Sequence, residues 1–370
     1  MAHILFVSHT SELGGPNYRL LHLIEYLVEH NHKPYVIAPG NGNLFSKLAN
    51  LPVSVFPAGS RGLKCQAIPW LYQIITREKI DIVYGNNFSS GTRNTLIAAR
   101  LARRPYIWHI NEMLDPERGA QFNRTYFLRF ADALIADSIA CTDSVQVHVP
   151  NKKVHQIYNG IDLGAYDLDR ESAKNHIQQS LGLLPGQTVV TSAANLCHRK
   201  GQAYGVAAAI KVLDEYPDTA FVFLGETHHE MEYAKSLIKR VSQANKSDKI
   251  LFPGFRDDLP EILSGSDVFL HTAVKDPQPI AVLAAMAARL PVIAFSVDGV
   301  AEEVIHNQTG NLIDAGDIES LTRALVVYIK DSDLRTQQGM AGRLRVEESF
   351  SVDKTSQSIT EVINNTLVNQ

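Results

Sequence analysis

Short runs of β-branched and aromatic residues alternate with amphipathic helical patterns along the chain, in two series. The first series has such runs at 4–7, 35–38, 53–56, 80–84, 106–108 and 133–136, and the second at 188–192, 220–224, 250–252, 268–270 and 292–295. Strands separated by helices of ten or more residues form βαβ units, whose sheets are parallel. The sequence therefore predicts an α/β protein with two doubly wound, Rossmann-like domains.

An irregular polar stretch between the two series predicts a domain boundary. It contains Asn159-Gly160 and Gly164, residue types that often end regular structure. We place an N-terminal domain at 1–165 and a C-terminal domain at 166–350. The tail 351–370 has apolar residues at helical spacing, which predicts an amphipathic helix that must dock on other parts of the protein.

Composition and charge exclude several classes of protein. With 45% apolar and 20% charged residues, the chain suits a globular protein and not a disordered one. A net charge of -4 gives no support for nucleic-acid binding. The apolar run 280–288 is too short to span a bilayer, and the start of the chain lacks the segments of a signal peptide. Three widely spaced cysteines predict neither disulfides nor a zinc cluster, so we expect a cytoplasmic protein.

Loops that follow strands are the usual ligand sites of open α/β sheets. After the first strand, Gly14 and Gly15 precede a helix, where backbone N–H groups and the helix dipole favour an anion. A plain turn explains these glycines equally well. After the strand 188–192, Arg199 and Lys200 precede another helix and are placed to meet a diphosphate, although a solvated basic turn is the alternative.

A third loop precedes an Ala-rich apolar helix that begins at Ile280. The N-terminus of this helix offers free N–H groups to an anion. Asp276 lies just before it and is placed either to hydrogen-bond sugar hydroxyls or to cap the helix. His109 follows the strand 106–108 at its carboxyl end, a position that favours function, although a lone histidine more often has a structural role. The two DxD pairs, at 167–169 and 331–333, lie in polar segments, so we predict no metal site.

Several motifs occur together in the second half of the chain. Residues 251–270 read LFPGFRDDLPEILSGSDVFL, 276–294 read DPQPIAVLAAMAARLPVIA, and 298–302 read DGVAE, before Thr309-Gly310. Between the two series, 158–162 read YNGID. In these motifs the chain resembles the retaining glycosyltransferases of family 4, which have the GT-B fold, over nearly its whole length.

The resemblance implies two facing Rossmann-like domains with a cleft between them. It implies transfer of a sugar from a nucleotide-sugar donor, of UDP or GDP type, to a glycan or lipid-linked acceptor, without a metal or other cofactor. The N-terminal domain would hold the acceptor and the C-terminal domain the donor, and the final helix would cross back to the first domain. We therefore expect a role in surface polysaccharide or glycolipid biosynthesis.

The resemblance also implies the site residues. The catalytic set is His109, Lys200 and Asp276. The donor-binding set is Gly14, Gly15, Asn195, Arg199, Lys200, Glu226, Phe255, Arg256, Pro279, Ile280 and Ala281. Within it, the loop with Phe255 and Arg256 would hold the nucleobase.

The chain departs from the family pattern at three positions. Asn195 stands where an arginine is usual, and the Glu-x7-Glu motif has Asp276 and Ala284 in its two acidic places. The alanine removes a carboxylate that normally binds the ribose hydroxyls, which weakens donor binding by roughly 1.5–3 kcal/mol unless a group such as Glu226 replaces it. An alternative is therefore a catalytically degenerate subunit that binds or positions a partner enzyme. Sugar-nucleotide epimerisation is a weaker alternative, and hydrolysis of the donor is a further one.

The N-terminal domain is rich in arginine. These residues are Arg100, Arg103, Arg104, Arg118, Arg124 and Arg129. Anionic lipids attract such clusters, so we predict peripheral contact with the inner face of the membrane, while solvated helix faces are the alternative.

Overall fold

The computed structural model describes residues 1–12, 14–40, 42–59, 62–114, 125–227 and 230–369. The chain divides into two compact units, one of Met1–Gly160 with Val352–Gln370 and one of Ile161–Ser351. The first unit thus ends shortly before the boundary that we placed at 165. Each unit is built on one parallel sheet with helices.

The first unit contains a seven-stranded sheet in the order β3-β2-β1-β4-β5-β6-β7. Its strands are β1 (His3–Val7), β2 (Lys33–Ala38), β3 (Ser54–Pro57), β4 (Ile82–Gly85), β5 (Tyr106–Ile110), β6 (Ala133–Ala136) and β7 (Val154–Gln156). Its helices before the last one are α1 (Gly15–Glu29), α2 (Asn43–Leu48), α3 (Ile68–Arg77), α4 (Ser90–Leu101) and α5 (Ile139–Gln146). The strand order reverses between β1 and β4, so the loops after these two strands start side by side.

The second unit contains a six-stranded sheet in the order β10-β9-β8-β11-β12-β13. Its strands are β8 (Thr188–Ala193), β9 (Thr219–Leu224), β10 (Ile250–Gly254), β11 (Val268–His271), β12 (Val292–Phe295) and β13 (Gly310–Ile313). Its helices are α6 (Arg170–Leu181), α7 (Gln202–Glu215), α8 (Met231–Gln243), α9 (Leu259–Gly265), α10 (Ile280–Ala287), α11 (Val300–Glu303), α12 (Ile318–Lys330) and α13 (Ser332–Ser349). Here the order reverses between β8 and β11.

The last helix, α14 (Val352–Val368), belongs to the first unit and packs against α1. Its residues Ile359, Val362 and Ile363 are buried in the same apolar cluster as Phe6 and Ile24. The apolar stripe along the tail therefore completes one face of the first sheet. No helix in the described ranges is both long enough and apolar enough to cross a bilayer.

The structure corrects the sequence prediction at several strands. We placed His109 after a strand ending at 108, but β5 continues to Ile110, because His109 and Ile110 pair with residues of β6. The first two residues of the run at 80–84 are not part of a strand, which starts at Ile82. We missed β7 and β13, which are short and poor in β-branched residues.

Candidate functional site

Two loops of the second unit touch at the point where its strand order reverses. Gly201, at φ +63°, ends the loop after β8, and a Cβ atom there would lie 2.1 Å from the carbonyl oxygen of Thr272 in the loop after β11. The backbone N–H of Val274 donates to the carbonyl of Arg199 at 3.0 Å. Because glycine has no side chain, the two loops approach closely, and both carry predicted site residues.

Lys200 and Asp276 are in direct contact across these loops. The Lys200 ammonium forms an ion pair with the Asp276 carboxylate, and Nε2 of His271 lies 3.0 Å from Oδ2 of Asp276. Burial by itself raises the pKa of Asp276, but the Lys200 charge and the His271 hydrogen bond outweigh it and lower that pKa below its usual range. The structure thus joins two predicted catalytic residues. His271 was missed because its β11 pattern reads as plain core.

Arg199 links the two loops rather than pointing freely to solvent. Its guanidinium donates to the carbonyl oxygen of Lys275 at 2.9 Å and lies 3.8 Å from the carboxylate of Asp276. The side chain remains about half exposed. Arg199 therefore holds the loop of Asp276 in place, and one side of the arginine side chain stays accessible to solvent.

The helix α10 starts directly after this loop. Pro279 is its N-cap residue, and no side chain in the described ranges caps the helix. The N–H groups of its first turn, which includes Ile280 and Ala281, therefore have no capping side chain among the described residues. Ala284, one turn further on, is only 1% exposed. A carboxylate side chain at position 284 would therefore start from a buried backbone position on α10.

Glu303 is a buried acid that the sequence analysis overlooked. It lies at the end of α11 with 0% exposure, and the side chain of Gln278 is a hydrogen-bonding neighbour of its carboxyl group. Burial, with the negative charges of Asp276 and Glu302, raises the pKa of Glu303 well above its usual value, while the side chain of Gln278 opposes this shift. Nothing in the sequence distinguishes it from its neighbour Glu302.

Four predicted donor-binding residues lie around the carboxyl ends of β8, β9 and β10. Asn195 is exposed after β8, and the next residue bonds through its backbone N–H to the carbonyl of Glu226 at 2.9 Å. Phe255 is 48% exposed. Arg256 is engaged by Asp258, with Nε of the arginine 2.8 Å from Oδ1. The structure thus gathers these residues at one edge of the second sheet, with the guanidinium of Arg256 already paired.

In the first unit, Gly14 and Gly15 begin α1. Gly14 is the N-cap residue without a side-chain cap, and a Cβ atom there would meet nothing within 4 Å. Asn17 holds the preceding loop, because its side-chain amide donates to the carbonyls of Thr10 at 3.0 Å and Glu12 at 2.7 Å. The space next to Gly14 is therefore open, while the loop that precedes it is held by Asn17.

His109 lies in a buried polar network and is 0% exposed. Its Nε2 is 2.5 Å from Oδ1 of Asp137, its Nδ1 contacts the hydroxyl of Tyr84, and Arg19 donates to the same Asp137 oxygen at 2.6 Å. Burial and the positive charge of Arg19 lower the pKa of His109 and Asp137 opposes them, with a net value of about 4. The ring is thus neutral and closed to solvent. Its role in catalysis stays a prediction.

Arg19 anchors this network and was also missed. It is 3% exposed, and its guanidinium donates to Asn159 at 2.8 Å and Asn86 at 2.9 Å as well as to Asp137. A signal was present in the sequence, since Arg19 precedes Leu23 by one helical turn and so interrupts the apolar face of α1.

Comparison with known proteins decides the family. The model "Glycosyltransferase Family 4" matches residues 13–165, and the model "Glycosyl transferases group 1" matches residues 173–345. The chain belongs to the family 4 glycosyltransferases. The predicted resemblance and the α/β class with two Rossmann-like sheets in the GT-B fold are confirmed.

Relatives of this family 4 glycosyltransferase are distant. The UDP-Gal:alpha-D-GlcNAc-diphosphoundecaprenol alpha-1,3-galactosyltransferase of Escherichia coli is 27% identical over 316 residues, covering 81% of this chain and 79% of that one. The alpha-maltose-1-phosphate synthase of Mycolicibacterium smegmatis is 28% identical over 317 residues, 79% and 81% of the two chains. The crystal structure of Anabaena HepE in complex with UDP-glucose has a TM-score of 0.87 at 24% identity, over 99% of this chain and 100% of that one, which shows the shared fold.

The residue roles in this glycosyltransferase stay predictions. Within the ranges that the structure describes, no group of three His, Cys, Asp or Glu side chains is arranged to hold a metal ion. Of the six arginines for which we predicted contact with the membrane, Arg118 and Arg124 lie outside the described residues.

Proposed function

We propose that this glycosyltransferase transfers a sugar from a nucleotide-sugar donor of UDP or GDP type to a glycan or lipid-linked acceptor, with retention of the anomeric configuration. The observation that carries the proposal is the position of Lys200, at the contact of two loops where the second sheet reverses its strand order. There Lys200 pairs with Asp276, in the loop that leads into the N-terminus of α10. The names of the relatives support the class of donor, since one is a UDP-Gal galactosyltransferase and the HepE crystals contain UDP-glucose.

The leaving diphosphate of such a donor gains negative charge as the bond to the sugar breaks. Lys200 and the backbone N–H groups of Ile280 and Ala281 would bind that charge, which lowers the barrier without a metal or other cofactor. To do so Lys200 exchanges the Asp276 carboxylate for a phosphate oxygen. The released carboxylate of Asp276 then accepts hydrogen bonds from sugar hydroxyls.

The chemical step needs no protein nucleophile. The acceptor oxygen forms a bond to the anomeric carbon on the face that the diphosphate leaves, the bond from that carbon to the phosphate oxygen breaks, and the acceptor proton passes to that oxygen. Positioning and electrostatic stabilisation supply most of the acceleration. We place the reaction on the cytoplasmic side of surface polysaccharide or glycolipid biosynthesis.

Calorimetric titration of the purified protein tests the donor site. UDP, GDP, ADP and TDP are titrated with and without EDTA, alone and as sugar conjugates. We expect one nucleotide to bind, insensitive to EDTA, and Lys200→Ala to abolish the binding. Lys211→Ala is the control, because Lys211 also pairs with a carboxylate, Glu319, but lies on the exposed side of α7. Equal loss in both variants would contradict the proposal.

The second candidate is a degenerate subunit that binds or positions a partner enzyme. It is favoured by Ala284, which leaves no carboxylate at the second acidic position of the donor motif. If the folded protein binds none of the four nucleotides, this candidate replaces the first.

We also propose that the first unit contacts anionic lipids. Arg103 and Arg129 are exposed, and the guanidinium of Arg129 stacks 4.0 Å above the ring of Tyr126, which is 52% exposed. Phe130 is 42% exposed nearby in sequence. Exposed aromatic and basic side chains together suit a lipid interface. The double variant Arg103→Glu with Arg129→Glu should co-sediment less with phosphatidylglycerol vesicles than the wild type does. Phosphatidylcholine vesicles are the control, and neither the wild type nor the variant should bind them.

A further inference from the structure

His9 is an exposed imidazole at the carboxyl edge of the first sheet. It is the second residue after β1, and β1 lies beside β4 where the strand order of that sheet reverses. This is the edge at which open α/β sheets bind ligands. The fully buried His109 is closed to solvent, so His9 is the histidine in this region that a ligand can reach directly.

A buried asparagine fixes the orientation of the His9 ring. The side-chain amide nitrogen of Asn87 contacts Nδ1 of His9. Asn87 is 3% exposed, and its backbone carbonyl accepts hydrogen bonds from Nε1 of Trp108 at 2.7 Å and Oγ1 of Thr92 at 2.8 Å. Trp108 and Thr92 are buried as well, so the backbone of Asn87 has little freedom to move, and burial confines its side chain. The ring is therefore held in one direction before any ligand arrives.

The contact with Asn87 also fixes the position of the ring proton. An amide N–H only donates, so Nδ1 of His9 accepts and the proton of the neutral ring is on Nε2. Partial burial lowers the pKa of His9, which keeps the ring neutral at neutral pH. Within the described residues Nε2 has no hydrogen-bond partner, so it offers a directed, uncharged N–H donor to the outside.

The loops around His9 are suited to an uncharged, hydroxyl-rich ligand. The described residues of the loops after β1, β4 and β5, at 8–12, 86–89 and 111–114, contain no lysine or arginine, and their polar side chains include Thr10 and Asn111. The loop after β5 continues with Arg118 and Arg124, which lie outside the described residues. In contrast, the loops after β8 and β11 contain Arg199, Lys200 and Lys275. A diphosphate requires the positive charges of the second set, whereas sugar hydroxyls pair with neutral donors and acceptors such as those of the first.

We propose that His9 binds the acceptor sugar, by donating from Nε2–H to one of its hydroxyl oxygens. The inference rests on the proposed transferase function and names the residue that orients the second substrate. A neutral N–H donor suits this task, because it fixes the acceptor without taking the proton that must pass to the leaving phosphate. Asn87 is then a positioning residue that acts through His9.

The test is histidine-selective ¹⁵N NMR on the full chain. The protein is saturated with the nucleotide that binds in calorimetry and titrated with p-nitrophenyl α- and β-glycosides of glucose, galactose, mannose and N-acetylglucosamine. We expect the His9 signals, assigned with His9→Gln, to show the Nε2–H form and to shift with at least one glycoside. The signals of the exposed His30 should not move. An Nδ1–H form, or no shift with any glycoside, would overturn the proposal.

Two variants separate acceptor binding from donor binding. His9→Leu should weaken the affinity for that glycoside about 3- to 10-fold, the effect of one neutral hydrogen bond. His9→Gln should restore part of it, because the glutamine amide also carries an N–H donor. Nucleotide affinity should stay unchanged in both. If His9→Leu weakens nucleotide binding equally, His9 belongs to the donor site and the proposal is wrong. If the wild-type protein binds no nucleotide, the transferase function itself fails first.

Discussion

His109 and Glu303 are both fully buried ionisable side chains, and burial favours the neutral form of each. For a base, burial lowers the pKa; for an acid, burial raises it. Their contributions to stability therefore change with pH in opposite directions. This difference allows the two units to be examined separately.

The His109 contribution should disappear on acidification. The unfolded chain binds a proton near pH 6.5, whereas the folded ring does so only at about pH 4, so the free energy of unfolding falls as pH drops through this interval. His109→Asn should remove that dependence and also cost about 1–3 kcal/mol at pH 7, because Tyr84 and Asp137 lose a buried partner. Denaturation followed by tryptophan fluorescence measures this, since Trp70 and Trp108 both lie in the first unit.

His30→Asn, at an exposed site, is the control for that experiment. If His109→Asn unfolds like the wild type but loses transferase activity, the catalytic role predicted from the sequence is supported instead of the structural one.

The Glu303 contribution should weaken as pH rises. Above the ordinary glutamate pKa the unfolded chain loses this proton while the folded protein keeps it, so stability falls by up to about 1.4 kcal/mol per pH unit until the raised pKa is reached. Glu303→Gln should therefore gain stability relative to the wild type as the pH rises above the ordinary glutamate pKa, as measured by calorimetric melting. Glu232→Gln, at a side chain that is 87% exposed, should show no such gain.

Among the secondary-structure elements, the loops between strand and helix determine the donor site. The loop after β8 and the loop after β11 are held together by the close approach of Gly201 to Thr272, by Arg199 and by the Lys200–Asp276 ion pair. The strands and helices on either side give these two loops rigid attachment points. The distance between the loops thus depends on one residue without a side chain.

Gly201→Ala should separate these loops. The new Cβ atom would lie 2.1 Å from the Thr272 oxygen, so the backbone must shift, and misplaced loops should weaken nucleotide binding about 10- to 100-fold by calorimetry. Gly186→Ala is a matched control. Gly186 also has a positive φ, +84°, but a Cβ atom there meets nothing within 4 Å. Equal affinities in the two variants would show that loop contact does not matter.

In the whole molecule, the last helix is separated in sequence from the unit that it completes. Residues 161–351 form the second unit, and α14 then adds Ile359, Val362 and Ile363 to a core made by residues near the start of the chain. The stability of the first unit should therefore depend on the last residues of the chain.

Ile359→Ala tests that dependence. Removing a fully buried isoleucine side chain should cost about 2–5 kcal/mol of unfolding free energy. Denaturation followed by tryptophan fluorescence reports the first unit. Val368→Ala, in the same helix but 83% exposed, should change stability by less than about 0.5 kcal/mol. A loss confined to the second unit would contradict the assignment of α14.

The sequence by itself determined the fold class and the family. Periodic apolar residues report which side of each element is buried, and motifs 251–270 and 276–294 keep their order, so α/β architecture and family 4 membership followed without coordinates. The position of Lys200 and Asp276 after strands was also readable, but their mutual contact was not.

Only the tertiary structure decided which polar residues are buried and which are exposed. A histidine or glutamate looks the same in sequence whether it is enclosed, as are His109 and Glu303, or open, as is His9. Burial depends on what the other strands and helices bring to the same place, here β4, β6 and α1 around His109. Local sequence patterns contain no information on such long-range contacts, and these contacts set the charge and the accessibility of each group.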